Sequence, residues 1–212
     1  KAFFRTIADC LVTENKIVEE WLVRDNLYLV EQLGFDPIEM AKKDQRYANT
    51  DIDISANNIT KNRIIKNGMA YDLSKPTDLI LSLFNDAWVN RNFDTLDQYY
   101  HKLANVHAIQ GNDLIGPRRV GTYLTQLFAA FPDAQVQIER VSTNELEDGI
   151  EVAARWRVIG KHTGAGFFSP ASGQAINMLG ISHYIIKAGK IAEEWMVFDA
   201  FDTLCQIHKD VK

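Results

Sequence analysis

The chain has 212 residues, 46% of them hydrophobic, which supports a sizeable core in one or two domains. Its net charge of −5, with 23 scattered Lys and Arg against 28 Asp and Glu, excludes a nucleic-acid footprint. No apolar run approaches the ~18 residues that a membrane span needs, and Cys10 and Cys205 suggest neither a disulfide framework nor zinc spacing. No signal-peptide layout is visible, so a reducing, cytoplasmic setting is expected.

The first element in the chain is half of a repeat. Ile17-Val18-Glu19-Glu20-Trp21-Leu22-Val23-Arg24-Asp25 returns as Ile191-Ala192-Glu193-Glu194-Trp195-Met196-Val197-Phe198-Asp199, at an offset of 174 (191 − 17). The match runs from Ile7/Ile181 to Gln32/Gln206, a length better explained by duplication than by chance. Each copy reads as a strand giving way to a helix, with a carboxylate at the junction. The second copy has a whole domain in front of it. Residues 1–35 are therefore expected to be the C-terminal hairpin and helix of a first unit whose body lies upstream.

Asn26 to Leu33 reads as a short helix stopped by Gly34, and Pro37 opens a second helical stretch to about Tyr47. Residues 48–75 hold no sustained period and read as a linker. Ser74 is placed to cap a new helix with Pro76 in its first turn, which starts a domain over residues 76–208. From Thr77 to Asn90, Leu79, Ile80, Leu83, Phe84, Ala87 and Trp88 recur at helical spacing. A second helix is expected over Phe93–Tyr100, a short strand over Ala104–Gln110, and a third helix over Arg118–Phe131. Strands follow at Ala134–Glu145, Ile150–His162, Gln174–Ile186 and Lys190–Phe198, then a closing helix at Ala200–Ile207. Helices first and strands after, joined by tight turns, predict an α+β fold on a mainly antiparallel sheet.

Four motifs in this order carry a resemblance: Phe131-Pro132-Asp133, Gly160-Lys161-His162-Thr163-Gly164, Ser169-Pro170-Ala171-Ser172-Gly173, and Gly189 to Trp195 with Asp199. Together they resemble the SnoaL-like polyketide (ester) cyclases of the nuclear transport factor 2-like superfamily, across about residues 76–208. The resemblance implies a curved sheet wrapped with helices around a conical pocket. It also implies Asp199, the aspartate after the tryptophan strand, as acid/base, and association through the outer face of the sheet. That association is either a homodimer or an intrachain pseudo-dimer of the two repeats. Family members commonly carry Pro-Thr-Gly where this chain has Ala171-Ser172-Gly173, so the hydroxyl is kept while pocket shape differs.

The residues themselves bear on the same site. A carboxylate at the mouth of an apolar pocket is driven toward its neutral form, so Asp199 is the first candidate base; it also stands where a helix cap belongs. A three-residue loop, Lys187-Ala188-Gly189, pairs Ile186 with Lys190 and sets His183 against Glu193, on the side of Trp195 and Asp199. With a two-residue loop the pairing slips, and Ser182 and Tyr184 join that face. His183 is then a proton shuttle or a donor to a substrate carbonyl, or simply a half-buried sheet histidine. Trp195, His162, Trp156, His107 and Phe131 are candidate substrate-binding residues, each also readable as packing or as a strand-end polar group. Arg155 is expected to pair with Glu151 or Glu139.

No phosphate loop, metal-ligand spacing or nucleophile elbow appears, so chemistry by side chains alone is expected, with no cofactor and no metal. The reading is a cofactor-free enzyme that transfers a proton next to a carbonyl in a small apolar molecule, with no nucleic-acid or membrane partner. A non-catalytic small-molecule-binding or oligomerisation module on the same fold is the alternative. Ester or epoxide hydrolysis, with Asp199 activating water and Arg155 or His183 assisting, is a third.

Overall fold

The computed structural model describes residues 1–54, 65, 70–168 and 170–209. It opens with a hairpin, β1 (Thr6–Thr13) and β2 (Lys16–Arg24), followed by α1 (Asn26–Gln32) and α2 (Pro37–Lys43). The domain proper begins with α3 (Pro76–Leu83), which runs on as a π-helical turn over Phe84–Val89. A 3-10 turn at Phe93–Thr95 and α4 (Leu96–Tyr99) lead into β3 (Tyr100–His107), and β4 (Asp113–Ile115) turns back on it. The long helix α5 (Pro117–Ala130) is followed by four strands, β5 (Gln135–Leu146), β6 (Gly149–Lys161), β7 (Ala175–Lys187) and β8 (Lys190–Phe198). The closing helix is α6 (Ala200–Ile207).

The sheet of the domain has the order β4-β3-β8-β7-β6-β5. Every pairing is antiparallel except β3 with β8, so the expected α+β class with a mainly antiparallel sheet holds. Several boundaries differ from expectation, and the strand β4 was not expected. The strand β3 starts at Tyr100, four residues early, because Tyr100 already pairs with Ile191 of β8. The first helix of the domain changes to π geometry at Phe84 instead of continuing to Asn90. The helix begun at Pro37 ends at Lys43, where Asp44 turns extended. Ser74 does not cap α3: Lys75 occupies that position without a side-chain bond, and Ser74 instead donates to Asp72. Half of the expected linker, residues 55–64 and 66–69, lies outside the described residues.

The sheet has two faces with different jobs. Trp156, Val158, Met178, Ser182, Tyr184, Glu194, Met196 and Phe198 alternate onto the inner face, and all are buried. Helix α5 lays Val120, Tyr123, Leu124, Leu127 and Phe128 inward at helical spacing. The ring of Trp88, from the π turn, packs 4.7 Å from Trp156 and 5.6 Å from Phe128. Gly180 makes this possible. It stands opposite Trp156 in the ladder, and any Cβ there would overlap the indole ring.

The outer face carries Arg155, Arg157, His183 and Trp195, and the β1–β2 hairpin lies across it. Trp21 of the hairpin sits under the Arg155 guanidinium, 4.5 Å from ring centre to cation, with Arg157 at 5.5 Å. Asp9, opposite Trp21 in the hairpin, pairs with Arg155 at 2.8 Å and Arg140 at 3.3 Å.

The two hairpins repeat each other in detail. Glu14-Asn15 and Ala188-Gly189 form the same two-residue turn with positive φ at both positions. The same ladder irregularity follows, at Val18 and at Ala192, where one residue bulges out. Both copies end on an aspartate that caps the next helix.

Gly180→Ala should cost about 1–3 kcal/mol, because the indole must leave its rotamer to admit a methyl group. Denaturant unfolding checks this; an unchanged midpoint would mean that the ring does not need the space.

Candidate active site

The turn between β7 and β8 decides which side chains meet. It contains only Ala188 and Gly189, so Lys187 pairs with Lys190 and Ile186 with Ile191. The bulge at Ala192 then shifts the register, and Ile185 pairs with Glu193, Tyr184 with Glu194, His183 with Trp195, and Ser182 with Met196. The expected three-residue loop, with His183 against Glu193, is therefore not formed. A bulge adds one residue to one strand, so the two-residue loop of the alternative reading is the one formed, while His183, Glu193 and Trp195 still share a face as the three-residue reading had them.

His183 and Trp195 do share a face, but it is the outer one. Their rings lie 5.9 Å apart, and His183 stands 3.8 Å from Glu151. On the other side of Trp195, His107 stacks at 5.3 Å and bridges Asp113 (2.7 Å) and Glu193 (3.1 Å). Arg155 pairs with Glu139 at 2.8 Å, one of its two expected partners.

Asp199 also lies on the outer side. One of its oxygens accepts the backbone N–H of Asp202 at 3.0 Å, so it caps α6. Burial is the main force that pushes its pKa up to about 6, with the nearby Asp202 and Asp25 charges adding to the rise and the cap bond and Arg46 opposing it. Its second oxygen makes no hydrogen bond with a described residue. A cavity of about 390 Å³ opens beside it, lined by Leu22 and Val23 of the hairpin and by Arg157, Asn177, Leu179 and Gln206. Asp25, the equivalent aspartate, has both oxygens engaged: one caps α1 through Tyr28 N–H, the other takes Gln110 N–H at 2.6 Å.

Trp156, His162 and Phe131 belong to the inner face, away from these groups. The Trp156 indole donates to Ser182 Oγ at 3.2 Å. His162 is fully buried against Phe131, 5.5 Å between rings. Its Nδ1 accepts the Ser172 backbone N–H at 3.2 Å and meets Ser172 Oγ at 3.1 Å, which fixes the loop after β6. Burial and the nearby His208 hold its pKa down, so the ring stays neutral.

The inner face contains a carboxyl that was not among the expected site residues. Glu194 has no exposed surface, and its Oε2 accepts from the Tyr100 hydroxyl at 2.6 Å. Burial raises its pKa to about 7, against the opposing pull of the Tyr100, Ser182 and Tyr184 hydroxyls. Burial likewise pushes Tyr100, Tyr184 and Tyr123 well above the usual phenol range, with Glu194 adding to the rise in each, so all three remain donors. Among the described residues no well-aligned hydrogen bond reaches Glu194 Oε1, Tyr184 OH or Tyr123 OH, although the Ser182 and Tyr184 hydroxyls lie near enough to Glu194 to favour its charged form. Such orphaned groups are rare in folded proteins and mark a place where polar valence is held open. The signal for this group was the Glu193-Glu194 pair itself: only one of the two faces inward, and the bulge chooses Glu194.

Among the described residues, no three His, Cys, Asp or Glu side chains stand together as a metal site, and no helix is long and apolar enough to cross a membrane.

The profile of the SnoaL-like polyketide cyclase family matches residues 78–207. The chain belongs to that family, and the membership supports a cyclase-type function. Solved structures agree on the fold. A protein described as a SnoaL-like polyketide cyclase from Jannaschia sp. CCS1 superposes with a TM-score of 0.56 at 19% identity, over 64% of this chain and 92% of its own. IdmH of Streptomyces antibioticus, described as a polyketide cyclase, gives 0.53 at 21% identity, over 63% and 98%. AclR of Streptomyces galilaeus, described as a hydroxylase, gives 0.53 at 20% identity, over 66% and 89%. Comparison with curated proteins yields no match.

The carboxyl of Glu194 holds its proton in the folded state up to about pH 7, while in the unfolded chain it ionises near 4.5. Its folded pKa is raised, so stability is undiminished below 4.5 and falls as pH climbs through that window, by on the order of 3 kcal/mol. Glu194→Gln should remove this loss. The variant should melt with the wild type near pH ~4 and above it near pH ~8, the contribution of Asp199 cancelling between the two proteins. Melting curves that stay parallel across that range would contradict the burial of an ionisable group here.

Proposed function

We propose that this protein is a cofactor-free, cyclase-type enzyme that moves a proton next to a carbonyl of a small, largely apolar molecule, with Glu194 as general acid/base. The observation that carries this reading is the set of buried polar atoms, Glu194 Oε1 with the Tyr184 and Tyr123 hydroxyls, for which no well-aligned hydrogen bond is found among the described residues. A carboxyl with a pKa of about 7 is well matched to proton transfer near neutral pH. Ionised Glu194 removes a proton alpha to the carbonyl, and the C–H electron pair becomes an enolate. The phenols, which stay protonated, donate to the developing enolate oxygen. The enolate carbon then attacks a second carbonyl of the same molecule, a C–C bond closes the ring, and Glu194 returns its proton to the new alkoxide. Entry requires the rings over Glu194 to part. Two of the cone's rings, Phe84 and Trp88, belong to the π-helical turn Phe84–Val89, a geometry that recurs at functional sites.

A second reading rests on the outer cavity. There Asp199, with one open oxygen and a pKa of about 6, is the base, and Arg157 on the same wall holds the enolate oxygen. The AclR likeness is one of fold, and the fold hosts more than one chemistry.

One comparison separates the readings. Exchange of alpha protons into D₂O, followed by NMR on a panel of aromatic β-keto esters, should fall by about 10²–10⁴-fold in Glu194→Gln. Asp199→Asn should keep the exchange rate and lose about 1 kcal/mol of stability as a weakened cap. The opposite pattern selects the outer cavity. Saturable binding of panel members without exchange above buffer identifies a binding module instead.

A further inference from the structure

The β1–β2 hairpin exposes an apolar face, and the repeat says what that face is. Val12, Ile17 and Leu22 are 57%, 61% and 36% exposed. Their equivalents in the domain, Ile186, Ile191 and Met196, are 5%, 0% and 0% exposed. The polar positions on the same face behave alike. Glu20 is exposed and Cys10 half-buried, whereas their counterparts Glu194 and Tyr184 are sealed inside the cone. On the opposite faces the contrast is weaker, with Ile7 half-buried against a buried Ile181. Val23 and Val197 are both buried, and Trp21 and Trp195 are both half-buried, because the hairpin already lies on the domain's sheet through Trp21 and Arg155.

Turn, bulge and helix cap are the same in the two hairpins, so the equivalence is one of three-dimensional position as well as of sequence. In the domain this face is covered by α3, the π turn and α5, and the edge of β7 is paired by β6. In the hairpin the corresponding edge of β1 pairs with no strand among the described residues.

We propose that the hairpin's apolar face and the β1 edge are a docking surface for the body of a second SnoaL-like unit, equivalent to residues 76–180, seated back to back with the first. The unit so completed encloses Glu20 as its buried acid. Its site differs from that of Glu194, since Cys10 replaces Tyr184 and Ala8 replaces Ser182, so two hydroxyl donors are absent. The Cys10 thiol already faces Glu20, 4.0 Å from its carboxylate. This inference is independent of which carboxyl turns over substrate.

The test extends the full chain. A body equivalent to the proposed partner is supplied by joining residues 76–180 of this sequence directly to Ile7, in the register of the repeat. Cys10 is then labelled with a thiol reagent, buried Cys205 serving as the control for the intact domain. In the 212-residue chain Cys10 should react readily, and in the extended chain at least about tenfold more slowly, as local opening becomes necessary. Equal rates in the two chains overturn the proposal. A measurement on the 212-residue chain alone guards against misfolding of the extended one. The pair Val12→Asp and Ile17→Asp should abolish binding of an apolar dye and leave the melting temperature unchanged. A dimer that this pair dissociates would make a second copy the occupant and overturn the proposal.

Discussion

The register between β7 and β8 governs the rest of this structure. Two residues, Ala188 and Gly189, turn the chain, and one more, Ala192, bulges out of the ladder. Because side chains alternate along a strand, that single extra residue assigns every later position of β8 to its face. It sends Glu194, Met196 and Phe198 into the cone, and Glu193 and Trp195 onto the outer face beneath which the hairpin docks. The repeat carries the same turn and the same bulge, so whatever fixes the register acts in both hairpins.

The consequence for chemistry is a carboxyl in a place that disfavours its charge. Glu194 has one strong donor in Tyr100 and lies close to two more hydroxyls, which offset part of the desolvation but not all of it. The fold therefore accepts a group that weakens it as the pH rises. Asp199 and Asp25 show the milder version of the same balance. Each caps a helix, and each has its pKa raised by burial, but Asp25 satisfies both oxygens whereas Asp199 leaves one facing a cavity. A shared local motif thus has one copy closed by hydrogen bonds and one left open.

Much of the architecture was legible from the sequence. Helical periodicity at Leu79 to Trp88 follows directly from burial on one face, and those residues are buried in the structure. Helices followed by strands pointed to the α+β class, and four ordered motifs carried the family resemblance. What escaped was local. His183 and Trp195 do share a face, but alternation alone does not tell which face the helices cover, so with Asp199 they were gathered around a pocket whose inner wall they do not form. Tyr100 was read as the end of a helix, because β3 starts only through its pairing with β8. Glu194 was legible only as half of a choice between two adjacent glutamates.

One titration reaches the core of this account. Side-chain carboxyl carbons of the 212-residue protein, followed by carbon-13 NMR and assigned through Glu194→Gln, report the ionisation of Glu194 directly. An inflection close to 7 is what an inward, desolvated glutamate gives. An inflection at the ordinary value near 4.5 would mean that the carboxyl meets water, and that β8 presents its other face to the cone.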